Sequence, residues 1–273
     1  MWAESMPYVR KRKPFTRPPT FLDAAINFTF ACNLSCVGCD RASFIKPQHS
    51  PPMTKERLGE FLEEVKAEGI ELKRMRIVGG EPTLHPDFLE MTTMCIRYSE
   101  ETEYRCNVRI FSNQHAPRTR TLLDEVHRKH PSLQMMGAHK KESWVFPRMT
   151  RYEYVSPKDA GIDCPWPCPN MGSRGKCGNG VDQVGYSLCP TAGPIDAILG
   201  LGARATTIKQ MLDPEFVRWQ SETICSRCGQ FMAYTERELP QLWYCNGTPV
   251  SATYAQKLSE AGFAVDATPK ETA

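Results

Sequence analysis

Residues 21–39 read FLDAAINFTFACNLSCVGC, and the fold is decided by this stretch. Ile26, Phe28 and Phe30 recur at every second position, the period of extended backbone, whose successive side chains point to opposite faces. The strand runs straight into Cys32, Cys36 and Cys39, so these cysteines fall in a loop at its carboxyl end.

The chain downstream repeats this arrangement. From Thr54, a helix N-cap, Leu58, Phe61, Leu62 and Val65 recur at helical spacing until Gly69, which suits a helix end. KRMRIV at 73–78 alternates Met75 and Ile77 against Arg74 and Arg76 and ends in Gly79 and Gly80, so a second strand meets a glycine loop. Pro86 opens a second helix with Phe88, Leu89, Thr92, Cys95 and Ile96 on its inner face. Cys106, Val108 and Ile110 mark a third strand that finishes at Ser112 and Asn113; Leu122, Leu123 and Val126 fit a helix, and 133–136 a fourth short strand. Strands alternating with helices predict an α/β fold with a parallel sheet of βα units. Loops at the carboxyl ends of such strands carry the site, and each motif falls there. Cys95 and Cys106 lie on inner faces and read as core.

After residue 157 the texture changes. Pro165, Pro167 and Pro169, several glycines and six of the twelve cysteines lie between there and Cys228, the composition of a loop-rich, metal-bound appendage. Only short helices at 213–220 and 251–261 are expected in it. The expected organisation is a basic N-terminal tail (1–20), a catalytic α/β domain (21–156), a cysteine-rich extension (157–248) and a C-terminal helix and tail (249–273).

Composition narrows the function classes. The chain has 273 residues, 41% apolar and 24% charged, ordinary for a soluble protein. No run of about 18 apolar residues exists, which argues against a membrane partner. The N-terminal residues contain no apolar signal region, so a cytoplasmic location is expected. Arg10, Lys11, Arg12, Lys13 and Arg17 read as a solvated tail, and a net charge of +3 is too small to argue for nucleic acid by itself. Twelve cysteines without an export signal point to thiols that bind metal rather than to disulfides.

The triplet Cys32, Cys36 and Cys39 has the spacing C-x3-C-x2-C. A structural zinc site wants four ligands, and no fourth cysteine lies in this loop. Three thiolates suit a four-iron cluster with one iron left open. The competing readings are a zinc or regulatory thiol cluster and, in a different class, a zinc-stabilised binding module without catalysis.

C-x3-C-x2-C after a first strand, with Gly79-Gly80-Glu81-Pro82 after the second, resembles the radical S-adenosylmethionine (SAM) superfamily. The resemblance implies a partial (βα)6 TIM-type barrel and a [4Fe-4S] cluster on Cys32, Cys36 and Cys39 whose open iron binds SAM. It also implies reductive cleavage of SAM to a 5'-deoxyadenosyl radical, which abstracts a hydrogen from a small-molecule or peptide substrate to give net oxidation or rearrangement. Such an enzyme needs an electron donor such as flavodoxin or ferredoxin. By the same resemblance Gly79, Gly80, Glu81 and Pro82 bind the methionine moiety, where a side chain on either glycine would block a ligand's approach. Ser112 and Asn113 are similar to a Thr-Asn pair that contacts ribose or carboxylate. The chain departs from the family at Gly38, where many members carry an aromatic residue beside adenine. His85 reads as a hydrogen-bonding group at a helix start, Arg41 as a charge beside the triplet, and His139 and Lys140 as residues facing the mouth of the site. Modification of tRNA is the alternative enzymatic reading, given the basic N-terminal segment.

Cys177, Cys189, Cys225 and Cys228 give C-x11-C, a gap, then C-x2-C. Spacing alone leaves a four-cysteine zinc site and a fully ligated four-iron cluster both open. The pattern, with Gly185 in the turn, resembles a twitch-type auxiliary domain, which implies a second [4Fe-4S] cluster. The interval from Gly185 to Cys189 is one residue shorter than usual in that pattern. Cys164, Cys168 and Cys245 are alternates, Cys168 being the first substitute for Cys177.

Overall fold

The computed structural model describes residues 21–45, 50–137, 154–162, 178–230 and 241–267. Strand β1 (Asp23–Thr29) sits inside a six-stranded sheet. On one side lie β2 (Arg74–Gly79), β3 (Asn107–Phe111) and β4 (Gln134–Met136); on the other lie β5 (Asn179–Val181) and β6 (Tyr186–Ser187). The order is β4-β3-β2-β1-β5-β6, with β1 to β5 parallel and β6 antiparallel to β5. This is the expected α/β architecture, an open and mostly parallel sheet of the partial TIM-barrel kind.

Every residue of β1 is buried, so both its faces are covered. Ala24, Ile26 and Phe28 meet one core with Leu58, Phe61 and Val65 of helix α1 (Lys55–Ala67) and Phe88, Met91 and Cys95 of helix α2 (Phe88–Glu101). Phe28 packs edge-on against Phe88, with ring centroids 6.5 Å apart. Leu123 and Val126 of α3 (Pro117–Lys129) extend this core across β3, and Cys106 is buried in it. The period-2 and period-3.6 apolar patterns therefore interlock on one side of the sheet. Truncating such a buried phenylalanine costs about 3–5 kcal/mol.

Helix α1 starts where its sequence predicts, with the Thr54 hydroxyl accepting from Arg57 N–H at 3.1 Å. Helix α2 starts later than the Pro86 signal: Asp87 is its N-cap, and it is Pro82 that opens a helical turn, a 3-10 turn at Pro82–Leu84. His85 separates the two. Its Nδ1 accepts from Asp87 N–H at 3.1 Å and its Nε2 lies 2.8 Å from Met53 O, so the ring fixes the helix entry.

The segment after residue 157 is richer in structure than its sequence suggests. Besides β5 and β6 it carries α4 (Ala192–Leu199), α5 (Ile208–Leu212), α6 (Pro214–Ile224), the hairpin β7 (Trp243–Cys245) and β8 (Thr248–Val250), and α7 (Ala252–Glu260). Two physical reasons hid these elements. Strand β5 is three residues long, too short for a period, and α4 is buried on nearly all sides, so it shows no polar stripe. Buried Arg204 pins the region: it pairs with Asp182, lies 3.2 Å from the Asp196 carboxylate and donates to Gly193 O at 2.6 Å. A second core joins Ala42, Phe44 and Ile45 to Tyr154, Ile195, Leu199, Ile224, Cys245, Val250 and Tyr254.

Candidate active site

Because β1 to β4 are parallel, the loops after all four emerge at one end of the sheet. The loop after β1 carries Cys32, Cys36 and Cys39; the loop after β2 carries Gly79 to Pro82; and the loop after β3 carries Ser112 and Asn113.

The glycines of the second loop answer to the protein's own backbone. A Cβ on Gly79 would lie 2.2 Å from Thr29 O, and one on Gly80 would lie 2.3 Å from Ala31 O. The same carbonyls accept from Gly80 N–H and Glu81 N–H, each at 2.8 Å. The close neighbour of both glycines is thus the end of β1 and the residues just after it.

Glu81 is fully buried, and both its carboxylate oxygens are occupied. One accepts from Thr83 N–H at 3.2 Å and from the Thr83 hydroxyl at 2.8 Å, and the other accepts from Asn113 N–H at 2.8 Å. The Ser112 hydroxyl lies 3.0 Å from each. A buried carboxylate is tolerable only when donors surround it in this way. Glu81 is thus a brace between the second and third loops.

The brace continues to the cysteines. Asn113 Nδ2 donates to Asn33 Oδ1 at 2.8 Å and points at Cys32 Sγ from 3.6 Å, while its Oδ1 accepts from His115 N–H at 2.8 Å. Cys32 Sγ also accepts from Leu34 N–H at 3.4 Å. Asn33 Nδ2 is buried with no hydrogen-bond partner. Burial pushes the Cys32 thiol up to about 11, with Cys39, Glu81 and Cys36 adding to the rise against the Leu34 N–H. Burial also raises Cys39, beside Asp40, while the Ser43 hydroxyl 3.5 Å from its sulfur works the other way. Gly38 has a φ of +67°, a left-handed conformation that a side chain would strain.

The three thiols suit an iron-sulfur cluster by donor type. They are soft sulfur ligands on one loop, and N–H groups face Cys32 Sγ as they would face a ligating thiolate. Among the described residues, no three His, Cys, Asp or Glu side chains converge closely enough to hold a metal ion.

Of the second cysteine set, Cys189 follows β6, Cys225 opens the 3-10 turn Cys225–Arg227 at the end of α6, and Cys228 closes it. Burial raises the Cys189 thiol, with nearby Arg41 lowering it. Cys189 and Cys228 pack against the same second core as Cys39, and that core contains Cys245. Cys177, Cys164, Cys168, His139, Lys140 and the basic run at 10–13 lie outside the described residues. Sequence reasoning missed Asn33, although it stands inside the triplet, and Thr248, although the Asn246-Gly247 pair before it is a hairpin signal.

Residues 26–134 match the family model described as the Radical SAM superfamily. The family is one of enzymes that use SAM with a [4Fe-4S] cluster. No curated protein matches the chain. Among solved structures, BtrN in complex with AdoMet and 2-DOIA is similar at 14% identity and a TM-score of 0.48, over 81% of this chain and 97% of that one. Streptococcus suis SuiB bound to precursor peptide SuiA is similar at 20% identity and a TM-score of 0.29, over 38% of this chain; the match spans only 22% of SuiB. No helix among the described residues is long and apolar enough to cross a membrane.

Proposed function

We propose that the chain binds a [4Fe-4S] cluster through Cys32, Cys36 and Cys39 and cleaves SAM to begin hydrogen abstraction from a small-molecule or peptide substrate, with net oxidation or rearrangement as the outcome. The observation that carries this reading is the polar chain Glu81–Asn113–Cys32, which ties the three strand-end loops together. A cluster held by Cys32, Cys36 and Cys39 would supply the electron for reductive cleavage of SAM. Asn113 and Leu34 N–H orient and stabilise the Cys32 thiolate, and Glu81 holds Asn113 in place. In this reading Gly79, Gly80, Glu81, Pro82, Ser112 and Asn113 are the residues that would bind SAM. Walls that exclude water protect a reactive radical from quenching.

The segment 157–248 is proposed as a twitch-type extension to the domain at 21–156. In this reading Cys177, Cys189, Cys225 and Cys228 hold a second [4Fe-4S] cluster that passes electrons. A flavodoxin or ferredoxin would serve as the electron donor. The packing of Cys189 and Cys228 on the core that also receives Cys39 supports the pairing of the two sets.

The test is a count of iron, sulfide and zinc on anaerobically purified protein, with an assay for 5'-deoxyadenosine after dithionite reduction. About eight irons with deoxyadenosine support both clusters. About four irons with zinc make the extension structural, and zinc alone without cleavage overturns the reading.

A further inference from the structure

The hairpin β7–β8 closes over the cysteine loop. Asn246 and Gly247 make its turn with φ of 47° and 77°, the left-handed pair that a two-residue hairpin requires. From this turn Asn246 Nδ2 donates to Phe44 O at 2.6 Å. At the start of β8 the hydroxyl of Thr248, a residue only 1% exposed, accepts from Gly38 N–H at 3.1 Å. On the following residue, Cys39 O accepts from the Tyr154 hydroxyl at 3.1 Å, and Tyr154 O accepts in turn from Ser251 N–H at 3.1 Å. Phe44 packs edge-on against Tyr154, and Tyr154 against Tyr254, with centroids 5.2 and 5.7 Å apart.

The dipeptide Gly38-Cys39 is therefore held at both ends by residues far along the chain. The Gly38 N–H is fixed by Thr248 and the Cys39 carbonyl by Tyr154. Anchors so close together leave the backbone of Cys39 little freedom, and its Cα–Cβ direction follows. Gly38 supplies the left-handed turn, and the buried Thr248 oxygen satisfies an amide that has lost water.

We propose that the β7–β8 hairpin is the positioning element of the cysteine loop, and that Thr248 is a positioning residue that sets the direction of the Cys39 thiol through Gly38. This rests on reading the loop as a cluster site. It goes further by making cluster geometry depend on the C-terminal part of the chain.

The experiment uses the full chain with Thr248→Val, which keeps the branched shape and removes the acceptor, and Thr248→Ser, which restores it. Hydrogen–deuterium exchange across 32–45 is followed without iron. The midpoint potential and EPR spectrum of the first cluster are then read after anaerobic reconstitution. The expected result for T248V is about tenfold faster exchange in this segment, as a buried amide loses its acceptor, with an altered EPR spectrum and a shifted potential. T248S should match the wild type. If T248V does not fold, Tyr154→Phe releases the other anchor and gives the same readouts. Wild-type exchange in T248V overturns the proposal, as do an unchanged spectrum and potential. A wild type that takes up no iron would overturn the cluster reading, while faster exchange in T248V would still uphold the hold of Thr248 on the loop.

Discussion

Ser112 places its hydroxyl 3.0 Å from both oxygens of the Glu81 carboxylate, so the third strand's loop is bound to the second by a charge-assisted contact with no water between. Asn113 N–H adds a donor at 2.8 Å. Replacing Glu81 by Gln keeps the size and removes the charge, and it turns one acceptor into a donor that faces other donors. Glu81→Gln is expected to lose about 2–3 kcal/mol of stability. Ser112→Ala, which leaves the carboxylate its other partners, should lose about 1 kcal/mol. Thermal melts of the two variants check this, and an E81Q protein as stable as the wild type would remove the brace.

Cys36 is buried in the loop beside Cys32, and Cys189 lies in the other cysteine set. Cys36→Ala should abolish formation of 5'-deoxyadenosine and lower the iron content by about half, since one three-thiolate site is lost. Cys189→Ala should lower iron to a similar extent while some SAM cleavage persists. Iron and deoxyadenosine assays on both variants decide the matter. Equal iron content in C36A and wild type would contradict the assignment of the triplet.

The half of the fold that the sequence displayed clearly is the half built from regular periods. Ile26 and Phe28 alternate because β1 faces helices on one side, and Leu58, Phe61 and Val65 recur because α1 rests on that face. The motifs could be placed at strand ends by counting outward from these elements. What stayed hidden has no period. Val181 belongs to a three-residue strand that pairs with β1 from far along the chain, and Ile195 sits on a helix buried nearly all round. Within the site, the residue types of Glu81, Ser112 and Asn113 were legible but their partners were not. Glu81 is directed at neighbouring loops, a relationship between segments that no local pattern carries.

Arg204 tests how the later segment is held. Its guanidinium is buried between the Asp182 and Asp196 carboxylates, both of which are also buried. Removing it leaves two carboxylates without their counter-charge, which is costlier than the pair was stabilising. Arg204→Ala should lose about 3–5 kcal/mol, and Asp182→Asn in that background should recover part of the loss. Urea unfolding of the single and double variants measures both, and an additive loss in the double variant would mean the residues are not coupled.

His85 gives a pH dependence whose sign follows from its partners. Met53 O can only accept, so Nε2 carries the proton and donates at 2.8 Å, which leaves Nδ1 as the acceptor for Asp87 N–H. Protonating Nδ1 would set two donors against each other, and burial, the larger cause, already holds the His85 pKa below its ordinary 6.5. The unfolded chain therefore binds this proton more readily than the folded one, and stability falls as pH drops below 6.5 until the folded-state pKa is passed. Above 6.5 both states are neutral there and the contribution is flat. His85→Asn retains an acceptor for Asp87 N–H and does not titrate. It should be less stable than the wild type at pH 8, by about 1 kcal/mol for the lost Met53 contact, and should lose less stability between about pH 6.5 and 5. Urea unfolding across that range separates the two slopes. Parallel slopes would show that the proton on His85 does not couple to folding.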